Sequence, residues 1–317
     1  LGLTLWESAA PSAEDSTARR PLTARKPTSS WLWLRHDDLS DWNQQNPTDF
    51  SALMTPPAPV AVKLGGSLIS RATAGSAILL EKRLAELCAQ LPLDRPLFVA
   101  HGTGAFGKPA AIEFGYLDRT LSDDMGRVVS HVNHLLLELE LAVYRQLEFC
   151  GLRPFRISLL EWSRVPSTQM IHQLELLIMR GHTPVVGGGF IVTDTGYEVL
   201  SSDDIVVDAA LALRASDVAF AINASGVYDD TTPDHRIYES INVADLARLN
   251  GIPDMAGDCT GGIAAKLRAA ARAASAGIRT FIVDGRSSRN LGDALTGRPF
   301  QGTELLGSAK DASCAAL

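Results

Sequence analysis

The sequence predicts an α/β fold built on a mainly parallel central sheet. From residue 54 onward, short apolar runs rich in β-branched residues alternate with longer stretches of helical periodicity. This alternation is typical of repeated strand–helix–strand units, which place their strands parallel to one another in a single sheet. Apolar residues make up 46% of the 317 residues, which is enough to bury the core that such a fold requires.

Six apolar runs are predicted as strands, at 60–64, 97–101, 153–158, 183–187, 217–222 and 279–283. Seven periodic stretches are predicted as helices, at 76–91, 104–115, 122–150, 169–181, 203–214, 243–249 and 260–277. The segment 190–200 reads as two short strands around the turn residues Asp194 and Gly196, which predicts a β-hairpin. One side of the helix at 122–150 is apolar along its length, so this helix packs in the core or forms a dimer seam.

Residues 1–53 differ in composition from the rest of the chain. They hold four of the five tryptophans but no glycine-rich strand–helix unit, and residues 8–30 are rich in Ser, Thr, Ala, Pro and Arg. That composition is typical of a disordered linker. We expect residues 1–53 to be a disordered or non-native extension, and the alternative is a partner-binding arm anchored by Trp31 and Trp33.

The charge and cysteine content argue against several classes of protein. The formal net charge is −7, so the chain lacks the basic footprint of a nucleic-acid-binding protein, and any phosphate site is a local positive pocket. No stretch reaches the roughly 18–20 apolar residues of a membrane span. The four cysteines show neither CxxC pairing nor the spacing of metal ligands. We therefore expect a cytoplasmic protein with reduced thiols and without a metal site of its own.

Three glycine-rich segments, at 60–67, 99–108 and 258–266, each join an apolar strand to a helix. Glycine lets the backbone approach a ligand closely, and the N–H groups at a helix start attract anions. Lys63 and Lys266 add full positive charge to the first and third segments. Together the segments indicate a polyphosphate site in a phosphoryl-transfer enzyme, although the Walker A pattern GxxxxGK[ST] does not occur.

Three further features accompany these segments. The pattern at 102–107 resembles GxGxxG only superficially, because no acidic residue follows the next strand, and we interpret it as an anion-binding helix start. Asp203 lies at the start of a predicted helix, where an acid either stabilises the helix end or holds two lysines in place. The strand at 217–222 ends in a glycine-containing loop, which at the carboxyl edge of an open sheet can contact a nucleotide.

In their order along the chain, these segments resemble the amino acid kinase family over about residues 54–306. The matching motifs are Lys63-Leu-Gly-Gly-Ser67, Gly102-Thr-Gly-Ala-Phe-Gly-Lys108, Leu200-Ser-Ser-Asp-Asp204, Gly226-Val-Tyr-Asp229, Asp258-Cys-Thr-Gly-Gly-Ile-Ala-Ala-Lys266 and Gly302-Thr303. Within the family, the motifs are most similar to those of the isopentenyl phosphate kinases, with the fosfomycin kinases as near relatives.

The resemblance implies a three-layer αβα sandwich over residues 54–317 that works as a homodimer, with ATP and Mg²⁺ as cofactors. It places acceptor binding in residues 54–190 and nucleotide binding in residues 191–306. It implies transfer of the γ-phosphoryl group to an anionic small molecule, for which an isoprenyl monophosphate of isoprenoid biosynthesis is the expected acceptor. A small phosphonate is the alternative acceptor. A non-catalytic nucleotide-binding storage or regulatory protein is the alternative of another class.

The resemblance also implies roles for particular residues. Lys63 and Lys266 flank the transferring phosphoryl group, and Asp203 orients both lysines. The residues expected to bind the nucleotide are Gly65, Gly66, Ser67, Asn223, Gly226, Val227, Tyr228, Asp229, Gly261 and Gly262. Those expected to bind the acceptor are Gly102, Gly104, Gly107, Lys108, Gly188 and Gly189. Backbone N–H groups expected to donate to phosphate oxygens are those of Gly65, Gly66 and Gly188.

Two positions of the site depart from the family pattern. Lys108 stands where the family has a histidine, and Ser225 stands where the family loop has an acid. A lysine still binds an anion, but as a point charge with a different geometry. His101 is expected to lie in the core or behind the site, and residues near His131 and His134 are expected to line a tunnel for an isoprenoid tail.

Overall fold

A computed structural model of the chain describes residues 57–73, 76–107, 125–162, 166–194, 196–229, 236–248 and 262–307. Its strands are β1 (Val60–Leu64), β2 (Ser70–Thr73), β3 (Ser76–Leu79), β4 (Leu97–His101), β5 (Pro154–Arg156), β6 (Thr183–Gly187), β7 (Gly189–Thr193), β8 (Gly196–Leu200), β9 (Asp217–Ile222), β10 (Ser240–Asn242), β11 (Arg279–Asp284) and β12 (Gly302–Leu306). Its helices are α1 (Gly66–Ile69), α2 (Glu81–Cys88), α3 (Met125–Phe149), α4 (Thr168–Met179), α5 (Ser202–Ala212), α6 (Gly262–Ser275) and α7 (Asn290–Leu295), with 3₁₀ turns at Leu159–Glu161 and Val243–Arg248.

Eight of these strands form one sheet in the spatial order β10-β12-β11-β9-β1-β4-β6-β5. Every neighbouring pair from β11 to β5 is parallel, whereas β12 runs antiparallel to β11. Parallel strands that are covered on both faces have nearly continuous apolar sequences, as β1 and β9 do. The pairs β2–β3 and β7–β8 are antiparallel ribbons outside this sheet.

Helices cover both faces of the sheet and complete a three-layer αβα sandwich. Along β1, Val62 and Leu64 point to the face covered by α1, α2, α3 and α7, whereas Ala61 points to the face covered by α4, α5 and α6. Lys63 follows the same alternation as Ala61, so its side chain lies on the side of α5. This layering confirms the fold class that the sequence predicts.

Most predicted elements occur where the sequence places them. The strands that match at both ends are those predicted at 60–64, 97–101, 183–187 and 217–222. The predicted hairpin is formed by β7 and β8, and the long helix is α3. Of the helix predicted at 104–115, residues 104–107 are helical and the remainder lies outside the described residues. Within the described part of the chain, no helix is both long and apolar enough to span a membrane.

The prediction of a helix over 76–91 is wrong in its first turn. Residues 76–79 instead form β3, which pairs with β2, and α2 begins at Glu81. Ala77 and Leu79 pack against the core while Ile78 is exposed, so the alternation of a strand fits this run as well as helical periodicity does. The sequence does not predict β2 and β10, because each is only three or four residues long and has a single β-branched side chain.

Candidate active site

The carboxyl ends of four neighbouring strands, β1, β4, β6 and β9, meet at one edge of the sheet. The turns at Gly65, Gly102 and Gly188 directly follow β1, β4 and β6, and the loop at 223–229 follows β9. Ligands of open α/β sheets bind at this edge, outside the carboxyl ends of the strands. The fold therefore brings the first two glycine segments of the sequence analysis and the loop after β9 to the same edge of the sheet.

The turns after β1 and β4 fit so closely against each other that only glycine is tolerated. A Cβ atom on Gly66 would overlap the backbone nitrogen of Gly104, and a Cβ atom on Gly104 would overlap the hydroxyl of Ser70. Ser70 holds both turns, because its Oγ donates to the carbonyl of Gly66 at 2.8 Å and accepts from the N–H of Ala105 at 2.8 Å. Sequence reasoning misses Ser70, since only the fold reveals its partners.

Two of the three backbone donors that were expected to face phosphate are engaged elsewhere. The N–H of Gly65 donates to the carbonyl of Ala221 at 2.9 Å, and the N–H of Gly188 donates to the carbonyl of His101 at 3.0 Å. These two glycines shape the strand ends, which corrects the expectation that they donate to phosphate. Gly66 begins α1, where the first N–H groups of a helix have no acceptor within the helix.

Lys63, Asp203 and Lys266 come together at the end of β1. Lys63 Nζ lies 2.8 Å from Asp203 Oδ1, and Lys266 Nζ donates to both carboxylate oxygens of Asp203 at 2.8 Å. The three residues belong to β1, to the first turn of α5 and to the second turn of α6. The structure thus brings together the three residues that the sequence analysis assigns to catalysis.

The start of α5 fixes the position of the shared carboxylate. Ser201 is the N-cap of this helix, and its Oγ accepts a hydrogen bond from the N–H of Asp203 at 3.2 Å. On the opposite side, the ammonium group of Lys266 lies 5.7 Å from the centre of the Phe220 ring, a distance at which a cation and an aromatic face attract. The cap of α5 therefore positions the Asp203 carboxylate, and the Phe220 ring contributes to positioning the Lys266 ammonium group.

The cluster is buried, and it holds more positive than negative charge when both lysines are protonated. Lys63 and Asp203 are each 6% exposed, and their partner Lys266 adds a second ammonium group to the single carboxylate. Burial by itself raises the pKa of the Asp203 carboxyl, but the two ammonium groups outweigh burial and hold this pKa well below its usual range. Burial, and after it the Lys63 ammonium, lower the pKa of Lys266 to about 7 against the opposing effect of Asp203. Such a cluster attracts a further anion.

The loop after β9 combines a buried anchor with exposed side chains. Gly226 and Val227 are buried, whereas Asn223 and Tyr228 are exposed. The N–H of Val227 donates to Thr303 Oγ1 at 2.9 Å, which ties the loop to β12. Gly226 has a φ of +151°, and a Cβ atom there would lie 2.9 Å from the same hydroxyl, so the position favours glycine.

Arg286 links this loop to the end of β11, and the sequence analysis misses it. Its guanidinium donates to the two carboxylate oxygens of Asp284 at 2.9 and 2.7 Å and to Ser225 Oγ at 2.7 Å. Burial opposes ionisation of Asp284, but the hydrogen bonds from Arg286 hold the pKa of this carboxyl below its usual value. Arg286 lies 61 residues beyond Ser225, so no local motif contains both residues.

A pocket of about 380 Å³ lies between α3, the 3₁₀ turn at Leu159–Glu161 and β7. Gly188 and Gly189, which were expected to bind the acceptor, form part of its wall. Most of the wall is apolar, with side chains from Val129, Leu136, Leu137, Leu159, Leu160 and Phe190. Such a pocket suits the apolar part of a small molecule whose anionic end lies at the strand edge.

Residues of α3 near His131 and His134 line this pocket, but the two histidines themselves do not. Val129, Asn133 and Leu136 line the pocket, whereas His131 and His134 are exposed elsewhere on the helix. Residues three and four positions apart share a helix face, and the periodicity of α3 does not reveal which of its faces borders a ligand. The residues near these histidines that were expected to line a tunnel thus form part of the wall of this pocket.

His101 ends β4 beside the pocket and is buried. Burial lowers the pKa of its imidazole, which leaves the ring neutral at neutral pH. Its Nε2 atom has no hydrogen-bond partner among the described residues. A side chain at Gly187 would collide with this ring, so glycine at that position provides the space for it.

The remaining predicted site residues lie around this edge or outside the described part of the chain. Lys108 and Gly261 lie outside the described residues. Gly107 is buried at the end of the helical segment 104–107, and Gly262 opens α6 with a φ of +55°. Ser67 is exposed in α1, beside Gly66. The N–H of Asp229 donates to the carbonyl of Arg236 at 2.7 Å, which closes the loop after β9.

The described residues do not fit a resident Mg²⁺ ion. None of their His, Cys, Asp and Glu side chains form a group of three that could hold a metal. Both oxygens of Asp203 are already bound by ammonium groups. Mg²⁺ also binds phosphate oxygens, so the phosphates of a bound nucleotide could hold it at this edge.

Comparisons with known proteins place the chain in a family. Residues 59–284 match the Amino acid kinase family. The chain is 26% identical over 274 residues to the isopentenyl phosphate kinase of Methanothermobacter thermautotrophicus, covering 78% of this chain and 99% of that protein. It is 26% identical over 263 residues to the isopentenyl phosphate kinase of Methanocaldococcus jannaschii, covering 77% and 97%. An X-ray structure of isopentenyl phosphate kinase matches with a TM-score of 0.64 at 21% identity, covering 78% and 99%.

The family match includes most of the glycine turns and the residues around the shared carboxylate. Lys63, Asp203 and Lys266 all lie inside the matched range 59–284. The structural match extends the agreement to the fold as a whole. The resemblance inferred from the motifs is thereby confirmed: the chain belongs to the amino acid kinase family and is a phosphotransferase.

Proposed function

We propose that the chain transfers the γ-phosphoryl group of Mg·ATP to an isoprenyl monophosphate and forms the diphosphate. The observation that carries this proposal is the buried cluster in which Lys63 and Lys266 share the single carboxylate of Asp203. An excess charge is unfavourable in a buried site, and the oxygens of a triphosphate relieve it. Two relatives named isopentenyl phosphate kinase, matched over 99% and 97% of their own length, support an isoprenyl acceptor.

The two lysines neutralise charge on the transferring group. Phosphoryl transfer passes through a loose transition state, so the enzyme mainly positions the reactants and neutralises the equatorial and bridging oxygens. Lys63 and Lys266 approach these oxygens from β1 and α6, and Asp203 keeps both ammonium groups oriented. The attacking oxygen belongs to an acceptor phosphate that is anionic at neutral pH, so the mechanism needs no general base.

The glycine turns bring the two substrates close to each other. Because Gly66 and Gly104 carry no side chains, the turns after β1 and β4 pack together and leave the strand edge open. A donor and an acceptor that meet there react as if at a high effective concentration. We assign the turn after β1 to the transferring phosphate and the turn after β4 to the acceptor phosphate.

The apolar pocket next to this edge supports an acceptor with a hydrocarbon part. Its wall contains Leu136, Leu159 and Phe190, and its volume of about 380 Å³ admits a short isoprenoid chain. Leu137, which also borders the pocket, and Leu141, one turn further along α3, are half-exposed, at 53% and 50%. Such exposure supports the proposal that the chain works as a homodimer with α3 near the interface.

The test is ADP release from Mg·ATP across a panel of acceptors. The panel contains isopentenyl, dimethylallyl and geranyl phosphates, fosfomycin, UMP, carbamate and acetylglutamate. We expect selective turnover of an isoprenyl phosphate. Turnover of fosfomycin alone would replace the phosphate acceptor with a phosphonate, and ATP binding without any turnover would favour a non-catalytic nucleotide-binding protein.

A further inference from the structure

The wall of the acceptor pocket contains a charged pair within apolar surroundings. Arg156 Nε donates to Glu140 Oε2 at 2.7 Å and joins the end of β5 to α3. Both residues line the pocket, together with His101. A plain hydrocarbon tail makes no use of either charge, so the proposed function alone does not account for the pair.

This pair differs from an ordinary surface salt bridge. The side chain of Glu140 is 12% exposed, whereas His134 and Glu138, paired on the same helix, are 69% and 59% exposed. Keeping a carboxylate away from water costs free energy unless its oxygens are hydrogen-bonded. A wall that had only to be apolar would be at least as stable with aliphatic side chains in both positions.

The pair retains hydrogen-bonding capacity. Among the described residues, Arg156 makes a single hydrogen bond through Nε, so its terminal amino groups keep their N–H donors. That bond occupies Oε2 of Glu140, and Oε1 stays available as an acceptor. The pocket wall therefore offers a donor and an acceptor side by side.

The charges of the pair determine which group it binds. The pair is neutral overall, so Glu140 repels an anion that Arg156 attracts, and Arg156 repels an ammonium group that Glu140 attracts. His101 adds no positive charge, because burial lowers its pKa more strongly than Glu140 raises it. A hydroxyl group is neutral and both donates and accepts, so it can donate to Glu140 while it accepts from Arg156.

We propose that the isoprenyl monophosphate that this pocket prefers carries a hydroxyl group on its aliphatic part, held between Glu140 and Arg156. The ligand class is the monophosphate of a short, hydroxylated aliphatic alcohol. This inference rests on the proposed function, which places the acceptor phosphate at the strand edge beside this pocket. A polar site sealed from water rejects an analogue that lacks the hydroxyl about 10⁴-fold or more. Arg156 is half-exposed, so water can take the place of a missing hydroxyl here. We therefore expect the hydroxylated ligand to be preferred on the order of 10- to 100-fold.

Equilibrium binding to the full chain tests the inference, measured by calorimetry with a non-hydrolysable ATP analogue present. The ligands are 3-methylbutyl phosphate and its 3-hydroxy and 4-hydroxy derivatives, which differ only in the hydroxyl. We expect at least one hydroxylated ligand to bind about 10-fold more tightly than 3-methylbutyl phosphate. Equal or weaker binding of both hydroxylated ligands overturns the inference.

A double variant tests whether the pair itself recognises the hydroxyl. E140L/R156L removes both charges together, so that neither is left unpaired in the wall. It should lose the preference and bind 3-methylbutyl phosphate and its hydroxylated derivatives with similar affinities. The matched control H134L/E138L removes an ion pair from the same helix outside the pocket and should keep the preference. A preference that survives in E140L/R156L overturns the inference.

A conservative variant covers the case in which the double variant fails to fold. Glu140→Gln keeps the size of the side chain and its ability to bind Arg156, but it weakens the acceptor and removes the charge. We expect it to reduce the hydroxyl preference several-fold, and an unchanged preference counts against the inference.

The inference and the proposed function fail in different ways. Turnover of isopentenyl phosphate by a wild type that binds both hydroxylated ligands no better overturns only the inference. Tighter binding of a hydroxylated ligand without phosphoryl transfer to any acceptor supports the hydroxyl site and overturns the proposed kinase reaction.

Discussion

Asp203 forms an ion pair with Lys63 and accepts hydrogen bonds from Lys266. The two lysines belong to different elements, β1 and α6. It is buried at the first turn of α5, where Ser201 caps the helix. Without this carboxylate, two ammonium groups would face each other out of contact with water. Because its folded pKa is lowered, its contribution to stability is present above about pH 4 and is lost as the pH falls toward that lowered pKa.

We expect Asp203→Asn to lower the free energy of unfolding by about 3–5 kcal/mol, because it leaves buried charge without a partner. Denaturation with urea at neutral pH measures the loss. The neighbouring Asp204 provides the control: it is half-exposed and pairs with Arg272 at 3.2 Å, so Asp204→Asn should cost no more than about 1 kcal/mol. Equal losses in the two variants would contradict the role assigned to burial of the Asp203 carboxylate.

The lowered pKa of Lys266 makes nucleotide binding depend on pH. An added triphosphate favours the charged ammonium, so binding above the free pKa of about 7 must take up a proton. We expect up to one proton taken up per nucleotide at alkaline pH, and an affinity that falls as the pH rises through that pKa. Calorimetry at saturating Mg²⁺ in buffers of different ionisation enthalpy measures this uptake. Proton release, or an affinity that rises with pH, would contradict the assignment.

At the scale of elements, the interlocked turns after β1 and β4 determine how close two substrates can come. Gly104 has a φ of +50°, and a Cβ atom there would overlap both Ser70 and Gly66. Steric overlap and positive φ are separate penalties. A suitable pair of substitutions separates the two effects.

We expect Gly104→Ala to cost at least about 2 kcal/mol of unfolding free energy, since it combines strain with overlap. Gly151→Ala is the control, because Gly151 has a φ of +89° but has nothing within 4 Å of a Cβ atom. It should cost only about 1 kcal/mol, from backbone conformation alone. Thermal or chemical denaturation compares the two, and equal costs would show that the turns are not tightly interlocked.

The bridge from β11 to the loop after β9 is a second element-level feature. Arg286 binds Asp284 and Ser225, so its loss frees the loop that is proposed to contact the nucleotide. We expect Arg286→Ala to raise the KM for ATP about 10-fold and to change kcat little, the pattern of lost ground-state binding. Arg286→Lys should restore only part of the lost affinity for ATP. An ammonium group keeps the charge but cannot reproduce the guanidinium fork that binds Asp284 and also reaches Ser225. Arg298→Ala is the control, because Arg298 is exposed and pairs with Asp293 away from this loop's anchor. An unchanged KM for ATP in Arg286→Ala would contradict the role of Arg286 in holding the loop.

At the scale of the whole molecule, the sequence predicts what depends on short-range pattern. The parallel strands β1, β4, β6 and β9 are buried on both faces, so their apolar runs mark their ends clearly. The residues Lys63, Asp203 and Lys266 belong to motifs in a fixed order, and the topology gathers the ends of those motifs at one edge. Pattern and topology together therefore predict the fold and the centre of the site.

The sequence does not predict contacts between residues that are far apart in the chain. It also does not predict which face of an apolar helix borders the pocket. The partners of Ser70 and of Arg286 belong to no common motif. The pairing of Glu140 with Arg156 depends on how α3 lies against β5. His131 and His134 share the apolar helix with the pocket residues, and only packing shows that they face away from it.

Lys63 and Lys266, the two buried lysines, are proposed to act on the transferring phosphoryl group. The most direct test of this role is kcat for Lys63→Ala and Lys266→Ala, measured with the acceptor that the wild type turns over best. We expect each variant to lose about 10²–10³-fold in kcat, as is typical when one electrostatic donor is removed. Lys82→Ala, at a side chain that is 92% exposed on α2, should match the wild type. An unchanged kcat in Lys63→Ala or in Lys266→Ala, with folding intact, would contradict the account.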